Sequence, residues 1–268
     1  MSKALEEQPR PCVSLNDGIQ EMLAYFADNE WFINSYWPEN EPRVRLLLSD
    51  LARLVPSGGL VFEPGCGNGF ISFLAGRMGY TVTATDAWHP VEREELFRRA
   101  SVRFFPSNMN TAAPWPNVPD QLFDAVLFGE VFEHLLNHPV GLLQQIHRVL
   151  KPGGVLLLTT PNPSTLANAV RVLLDRHSLW GTDAFARTPK ITGQGIIEEG
   201  DIHYREYRSD ELRAFLAAAG FRVDVSRYMY LGSPAQAHGK RLLKRLLGPR
   251  LMRNRLLASS NYVTAVRL

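Results

Sequence analysis

Cysteine is scarce. Cys12 and Cys66 are the only two in 268 residues, too few for a disulfide framework and in keeping with a reducing compartment, so the expected location is the cytoplasm. No apolar run approaches the ~18 residues of a membrane-spanning helix. The opening stretch, MSKALEEQPRPCVSLNDG, contains no apolar segment of the signal-peptide kind. There is no internal repeat and no low-complexity tract. A global excess of one charge is also missing, since 29 cations meet 27 acids. Seven of those cations crowd between Lys240 and Arg255 without a carboxylate, leaving 22 elsewhere against the 27 acids. A broad basic footprint for nucleic acid is thereby excluded.

What remains is ordinary globular composition, 45% hydrophobic and 21% charged. The length suits one α/β domain with additions. Residues 17–37 read as a helix capped by Asp17, with Ile19, Met22, Leu23 and Phe26 at helical spacing. An aromatic cluster follows, Trp31, Phe32, Tyr36 and Trp37, fit either to cover a substrate or to dock the helix on the core. A second helix is expected over 42–54, with Pro42 in its first turn. From Leu60 onward short apolar runs alternate with helical patterns: strands at 60–62, 80–85, 102–105, 123–128 and 155–159, and helices at 69–78, 91–99 and 139–150. This rhythm predicts a parallel sheet with right-handed crossovers. After Pro161 it breaks. Residues 176–200 are polar and long, as lids often are. Ser209 caps a helix that Gly220 ends, and 221–230 and 262–268 complete the strands.

The first strand runs into Glu63-Pro64-Gly65-Cys66-Gly67-Asn68-Gly69. A strand, a glycine turn and a helix bring backbone N–H groups to a place where a ligand can come close. The third glycine of a dinucleotide fingerprint is lacking, because Phe70 stands in its place. Glu63, two residues before the first glycine, repels a pyrophosphate and suits a cationic ligand such as an ammonium beside a sulfonium. Asp86, closing the second strand, is placed to accept from two ribose hydroxyls. Asn108 could bond an adenine edge, and Met109 could lie on its face or pack in the core.

The ordered set of Glu63, Gly65, Gly67, Gly69, Asp86, Phe123-Asp124-Ala125-Val126, Leu150-Lys151-Pro152-Gly153-Gly154, His203-Tyr204-Arg205-Glu206-Tyr207, Glu211-Leu212 and Ala219-Gly220-Phe221 resembles the class I S-adenosylmethionine-dependent methyltransferases over about 60–222. The resemblance implies an α/β fold with a Rossmann-like, doubly wound, seven-stranded sheet. It implies S-adenosylmethionine as cofactor, held by Glu63, Gly65, Cys66, Gly67, Gly69, Asp86, Asn108, Met109 and Glu130. Asn108 departs from the family, which usually has Asp there. The expected organisation is an N-terminal helical cap over 1–55 and a methyltransferase domain over 56–268, with a lid at about 176–206 and a basic insertion at about 236–256. Leu242, Leu243, Leu246, Leu247 and Leu251 would make a helix in that insertion amphipathic. It could then touch a membrane surface peripherally, bind an anionic acceptor, or simply be solvated.

A second constellation follows the fourth strand: Glu130-Val131-Phe132-Glu133-His134. On a helix these two carboxylates and the imidazole would share one face and look like a cation site. The arrangement resembles the E-x-x-E-H…H set of metal-dependent O-methyltransferases, which include the ubiquinone-pathway enzymes and the small-RNA 3′-terminal 2′-O-methyltransferases. That resemblance implies Glu130, Glu133, His134 and His203 as ligands of one divalent ion, Mg²⁺ first. Glu130, Glu133 and His134 are the expected catalytic residues. The alternative keeps His134 as a general base without metal. The expected reaction is methyl transfer to a hydroxyl of a small molecule with adjacent hydroxyls, a saccharide or specialised metabolite, with a phenolic or catechol-like ring as runner-up. RNA is disfavoured by the missing basic face, and a non-catalytic adenosylmethionine-binding protein would not need the Glu-His cluster.

Overall fold

The computed structural model describes residues 12–87, 91–136, 138–174, 190–192, 195–197, 202–229 and 253–268. The expected lid therefore lies outside the described residues except for two short strand segments and residues 202–206. The basic insertion lies outside them except for 253–256.

Helix α1 (Leu15–Tyr25) begins at Ser14, whose hydroxyl accepts from the Asp17 N–H at 3.2 Å, so Ser14 and not Asp17 is the cap. The expected single helix over 17–37 is broken after Tyr25. The chain resumes with a π-helical turn, Phe32–Tyr36, that passes directly into α2 (Trp37–Leu54). The first-turn proline of α2 is Pro38, and Pro42, expected there, stands inside the helix. Thereafter come β1 (Leu60–Pro64), α3 (Phe70–Arg77), β2 (Thr81–Asp86), α4 (Val91–Ala100), β3 (Arg103–Pro106), β4 (Phe123–Gly129), α5 (Pro139–Val149) and β5 (Leu150–Pro161). A helix that the sequence reading did not anticipate, α6 (Leu166–Leu173), leaves β5. A small antiparallel pair follows, β6 (Lys190–Thr192) with β7 (Gly195–Ile197), then α7 (Ser209–Ala218), β8 (Phe221–Met229) and β9 (Ser260–Arg267).

Seven strands form one sheet in the order β3-β2-β1-β4-β5-β9-β8. The pairs from β3 to β5 are parallel, and β9 runs antiparallel to both neighbours. The expected fold class holds. The apolar runs of β4 and β5 feed two cores, as strands covered on both faces must. Ala125, Leu127, Val155 and Leu157 face one side, with Leu47, Leu48, Leu51, Phe73 and Leu74 of α2 and α3. Val126, Phe128, Leu156 and Leu158 face the other, with Leu142, Leu143 and Ile146 of α5 and Leu212 and Leu216 of α7. Among the described residues no helix is long and apolar enough to cross a membrane.

Because β1, β2, β4 and β5 all point the same way, their C-terminal ends meet along one rim. The order reverses between β1 and β4, and ligands of open α/β sheets sit at that crevice.

Candidate active site

At the end of β1 the backbone turns on glycines. Gly65 has φ +75°, and a Cβ on it would lie 2.7 Å from Val131 and 3.1 Å from Met109, so no larger residue fits. Gly67 has φ +51°, and a Cβ there would meet no atom of the described residues within 4 Å. Backbone without a side chain lets a ligand lie directly against the loop. The turn is tied to β2, where the Thr85 carbonyl accepts from Gly65 N–H at 2.7 Å and Cys66 N–H at 3.2 Å. Asp86 adds a third tie, its Oδ2 accepting from Gly67 N–H at 2.8 Å. The acid expected to meet the ribose thus also holds the glycine loop.

Glu63 is 4% exposed and accepts from the Ser72 hydroxyl of α3. Burial pushes its carboxyl up to about 8, with Ser72 and the Arg43 charge pulling the other way. Burial thus favours the protonated form of a carboxyl that the sequence suggested as charged. Cys66 is buried beside it. Burial first, and the Glu63 charge second, raise its thiol far above the ordinary range, so it fills the loop as an inert side chain. Asn108 and Met109 are each 7% exposed. Asn108 Oδ1 accepts from the Asn110 N–H at 2.9 Å, which spends that oxygen on its own turn. Met109 packs with Phe62, Val131 and Phe132 in the second core.

Two arginines escaped the sequence reading. Arg93 of α4 donates from Nη1 to the Gly67 carbonyl at 2.6 Å and to Cys66 Sγ at 3.3 Å, and its guanidinium lies 4.3 Å above the Phe104 ring. It braces the glycine loop from below. Arg43 of α2 is 3% exposed. Its Nη2 donates to Asn40 Oδ1 at 2.6 Å, while Nε and Nη1 have no hydrogen-bond partner among the described residues. Nη1 would lie 2.7 Å from a Cβ on Gly129, and its charge acts on both Glu63 and Glu133. A buried cation with unmet donors between two carboxyls calls for an anionic ligand group. The signal was present: Arg43 lies one turn before Leu47 on the stripe Val44, Leu47, Leu48, Leu51 that α2 buries.

The acceptor side differs from its helical expectation. Glu130 has φ +56°, and only a single 3₁₀ turn, Phe132–His134, follows it. The i, i+4 relation between Glu130 and His134 therefore does not exist. Glu130 is directed instead toward β9, where Ser260 Oγ donates to it at 3.1 Å, and its N–H donates to the Thr159 carbonyl at 2.9 Å. Glu133 is fully buried. Its Oε2 accepts from Thr160 Oγ1 at 2.9 Å, and its Oε1 has no hydrogen-bond partner among the described residues. Burial, reinforced by the nearby Glu130 charge, drives its carboxyl well above the usual range.

His134 Nδ1 stands 2.8 Å from the Ile202 carbonyl. A carbonyl can only accept, so Nδ1 carries the proton and Nε2 the lone pair. Nε2 is 3.8 Å from Glu133 Oε1. The His203 ring lies edge-on to His134 with centroids 4.8 Å apart. The segment carrying it is fastened by the Glu133 carbonyl, which accepts from Tyr204 N–H at 2.8 Å and Arg205 N–H at 3.3 Å. Glu133, His134 and His203 each offer one ligand atom, all within 4.8 Å of one another. Three of the four expected ligands thus converge from β4's end and from a segment some 70 residues later in the chain, while Glu130 stands outside the trio. An orphaned buried carboxyl oxygen facing two imidazoles fits a divalent cation.

Residues 36–225 match a family model described as a methyltransferase domain. The chain is 32% identical over 187 residues to a ubiquinone biosynthesis O-methyltransferase of Xanthomonas axonopodis pv. citri, covering 67% of this chain and 70% of that protein. It is 30% identical over 237 residues to the protein of the same name from Xanthomonas campestris pv. campestris strain B100, covering 83% and 89%. Among solved structures, an S-adenosylmethionine-dependent methyltransferase from Mesorhizobium loti superposes with a TM-score of 0.52 at 17% identity, covering 85% of this chain and 98% of that one. That likeness shows the shared fold.

Proposed function

The chain belongs to the class I S-adenosylmethionine-dependent methyltransferases, and from that premise we propose that it methylates a ring hydroxyl of a small aromatic acceptor bearing adjacent hydroxyls, assisted by a divalent ion at Glu133, His134 and His203. The observation that carries the proposal is the convergence of those three ligand atoms at the rim where the glycine loop also ends. The relatives act in ubiquinone biosynthesis by O-methylation. Ubiquinone is a quinone with two neighbouring methoxy groups, so such methylation acts on ring oxygens. That chemistry favours the phenolic acceptor over the saccharide that the sequence reading placed first.

S-adenosylmethionine supplies a sulfonium methyl group open to in-line displacement by an oxygen nucleophile. The protein's part is placement. The vacant side of Gly67 admits the nucleoside, Asp86 stands ready for the ribose, and the unmet Arg43 donors suit the cofactor's carboxylate. A divalent ion, where bound, lowers the pKa of a hydroxyl that coordinates it. Glu133, His134 and His203 would hold that ion, and the anchored Nδ1 of His134 keeps its Nε2 available as a ligand. Glu130, hydrogen-bonded by Ser260, follows β4 at the same rim and would face the acceptor.

The test is chelation. EDTA should abolish methylation of a catechol, and Mg²⁺ or Mn²⁺ should restore it. His134→Ala should remove activity with S-adenosylhomocysteine affinity nearly unchanged. Undiminished activity in EDTA, with a rate that follows one ionisation near the ordinary histidine pKa of about 6.5, would leave His134 as a general base and remove the ion.

A further inference from the structure

The three ligand residues do not account for Glu206. Its carboxylate oxygen Oε1 lies 3.1 Å from His203 Nδ1, and the two side chains are 10% and 16% exposed. A largely buried acid is costly unless it is matched, and the partner of Glu206 among the described ion pairs is this imidazole. The pairing repeats, with different chemistry, what happens at His134, where a backbone carbonyl takes Nδ1. In both rings an acceptor on Nδ1 places a proton there, so that in the neutral ring Nε2 is the lone-pair nitrogen. Both acceptors come from one short segment, Ile202 and Glu206, whose backbone is itself pinned to the Glu133 carbonyl by Tyr204 and Arg205.

We infer that Glu206 is a positioning residue: it fixes the tautomer and tilt of His203 so that Nε2 is presented to the divalent-ion cluster with Glu133 and His134. The inference rests on the ion reading above and assigns to Glu206 a role that acts only through His203. A carboxylate behind a ligand imidazole also raises the basicity of the ligating nitrogen, and losing such a partner typically weakens ion affinity by about 10–100-fold.

Mn²⁺ binding to the full chain, followed by electron paramagnetic resonance and calorimetry, provides the test, with ¹⁵N-histidine spectra of the ion-free protein as a second readout. Glu206→Ala should weaken Mn²⁺ by about 10–100-fold and shift His203 from the Nδ1–H to the Nε2–H tautomer, with S-adenosylhomocysteine affinity unchanged. Glu206→Gln, whose amide oxygen can still accept, should keep the tautomer and stay within a few-fold of wild type, which guards against a folding defect in the alanine variant. If Glu206→Ala binds Mn²⁺ as tightly as wild type with His203 still Nδ1–H, the inference is overturned while the ion site stands. If wild type itself binds no Mn²⁺, the ion reading falls, and the role of Glu206 toward it falls too.

Discussion

The cofactor side of the cleft is one continuous β–α–β stretch from Glu63 to Asp86, whereas the acceptor side joins Glu130 to Ser260 across 130 positions and His134 to Ile202 across 68. The first is made largely of backbone: positive φ at glycines, N–H groups turned to Thr85 and Asp86. The second is made of side chains that meet only when β4, β5, β9 and the 202–206 segment have all docked. Local backbone geometry tolerates few residue types, so it is written compactly. A converging side-chain cluster tolerates many routes and leaves a fainter mark. Arg43 of α2 crosses the division, because its charge acts on both Glu63 and Glu133.

The sharpest way to break this contrast is to give the loop a side chain. Gly67→Val imposes a left-handed backbone on a β-branched residue, a strain of order 1–3 kcal/mol, and fills the space that the loop leaves open. S-adenosylhomocysteine binding should vanish in calorimetry while the melting temperature falls only by several degrees. Retained binding would mean that the cofactor does not lie against Gly67.

A smaller effect should come from the buried acid of the loop. The Glu63 carboxyl ionises near 4.5 in the unfolded chain and about 8 in the folded one. Below 4.5 both states keep the proton. Between 4.5 and 8 the unfolded chain releases it first, so the ion-free, cofactor-free protein loses stability as pH rises, by roughly 5 kcal/mol over the whole window. Denaturant midpoints should fall between pH 5 and pH 8 in both proteins, because Glu133 is raised too, but more steeply in wild type than in Glu63→Gln. Equal slopes in the two proteins would show that Glu63 is ionised in the fold.

The smallest of the three concerns the residue that bridges the two regions. If the free donors of Arg43 meet the cofactor's carboxylate, Arg43→Met should raise the dissociation constant of S-adenosylhomocysteine by about 10–100-fold, the value of one or two charge-assisted hydrogen bonds at ~1.5 kcal/mol each. Decarboxylated cofactor analogues should bind both proteins alike. An equal loss for the analogue would move Arg43 from ligand binding to the balance of Glu63 and Glu133.

Much of the fold was legible because parallel strands buried on both faces announce themselves as apolar runs, and Phe123–Phe128 and Val155–Thr159 did so. The helix α6 did not: Leu166, Val172 and Leu173 are more than half exposed, so its apolar residues mark no core face. Pro42 misled because its helix begins earlier, at Trp37, through the preceding π-turn. Within the site, the glycine loop and Asp86, grouped by the sequence, are joined in the structure by hydrogen bonds at the ends of β1 and β2. Glu130 was misplaced because a run of Glu-x-x-Glu-His suggests a helix, and nothing in residue type reveals that a non-glycine residue will take φ +56°. Asn108, expected at an adenine edge, also uses its Oδ1 on the Asn110 N–H, as short polar side chains in turns do.

The antiparallel strand β9 has a consequence for how the enzyme comes into being. It is the last element of the described chain and yet lies inside the sheet, between β5 and β8. During synthesis the β1-to-β5 unit with its glycine loop can assemble first, while β5 presents an open edge and Glu130 has no Ser260 to hold it. β8, made earlier, has no place until β9 arrives. The glycine-loop half can therefore form before β9 exists, but the Glu130 side closes only once β9 has emerged and docked between β5 and β8, and until then β5 is an unprotected edge open to pairing with other chains.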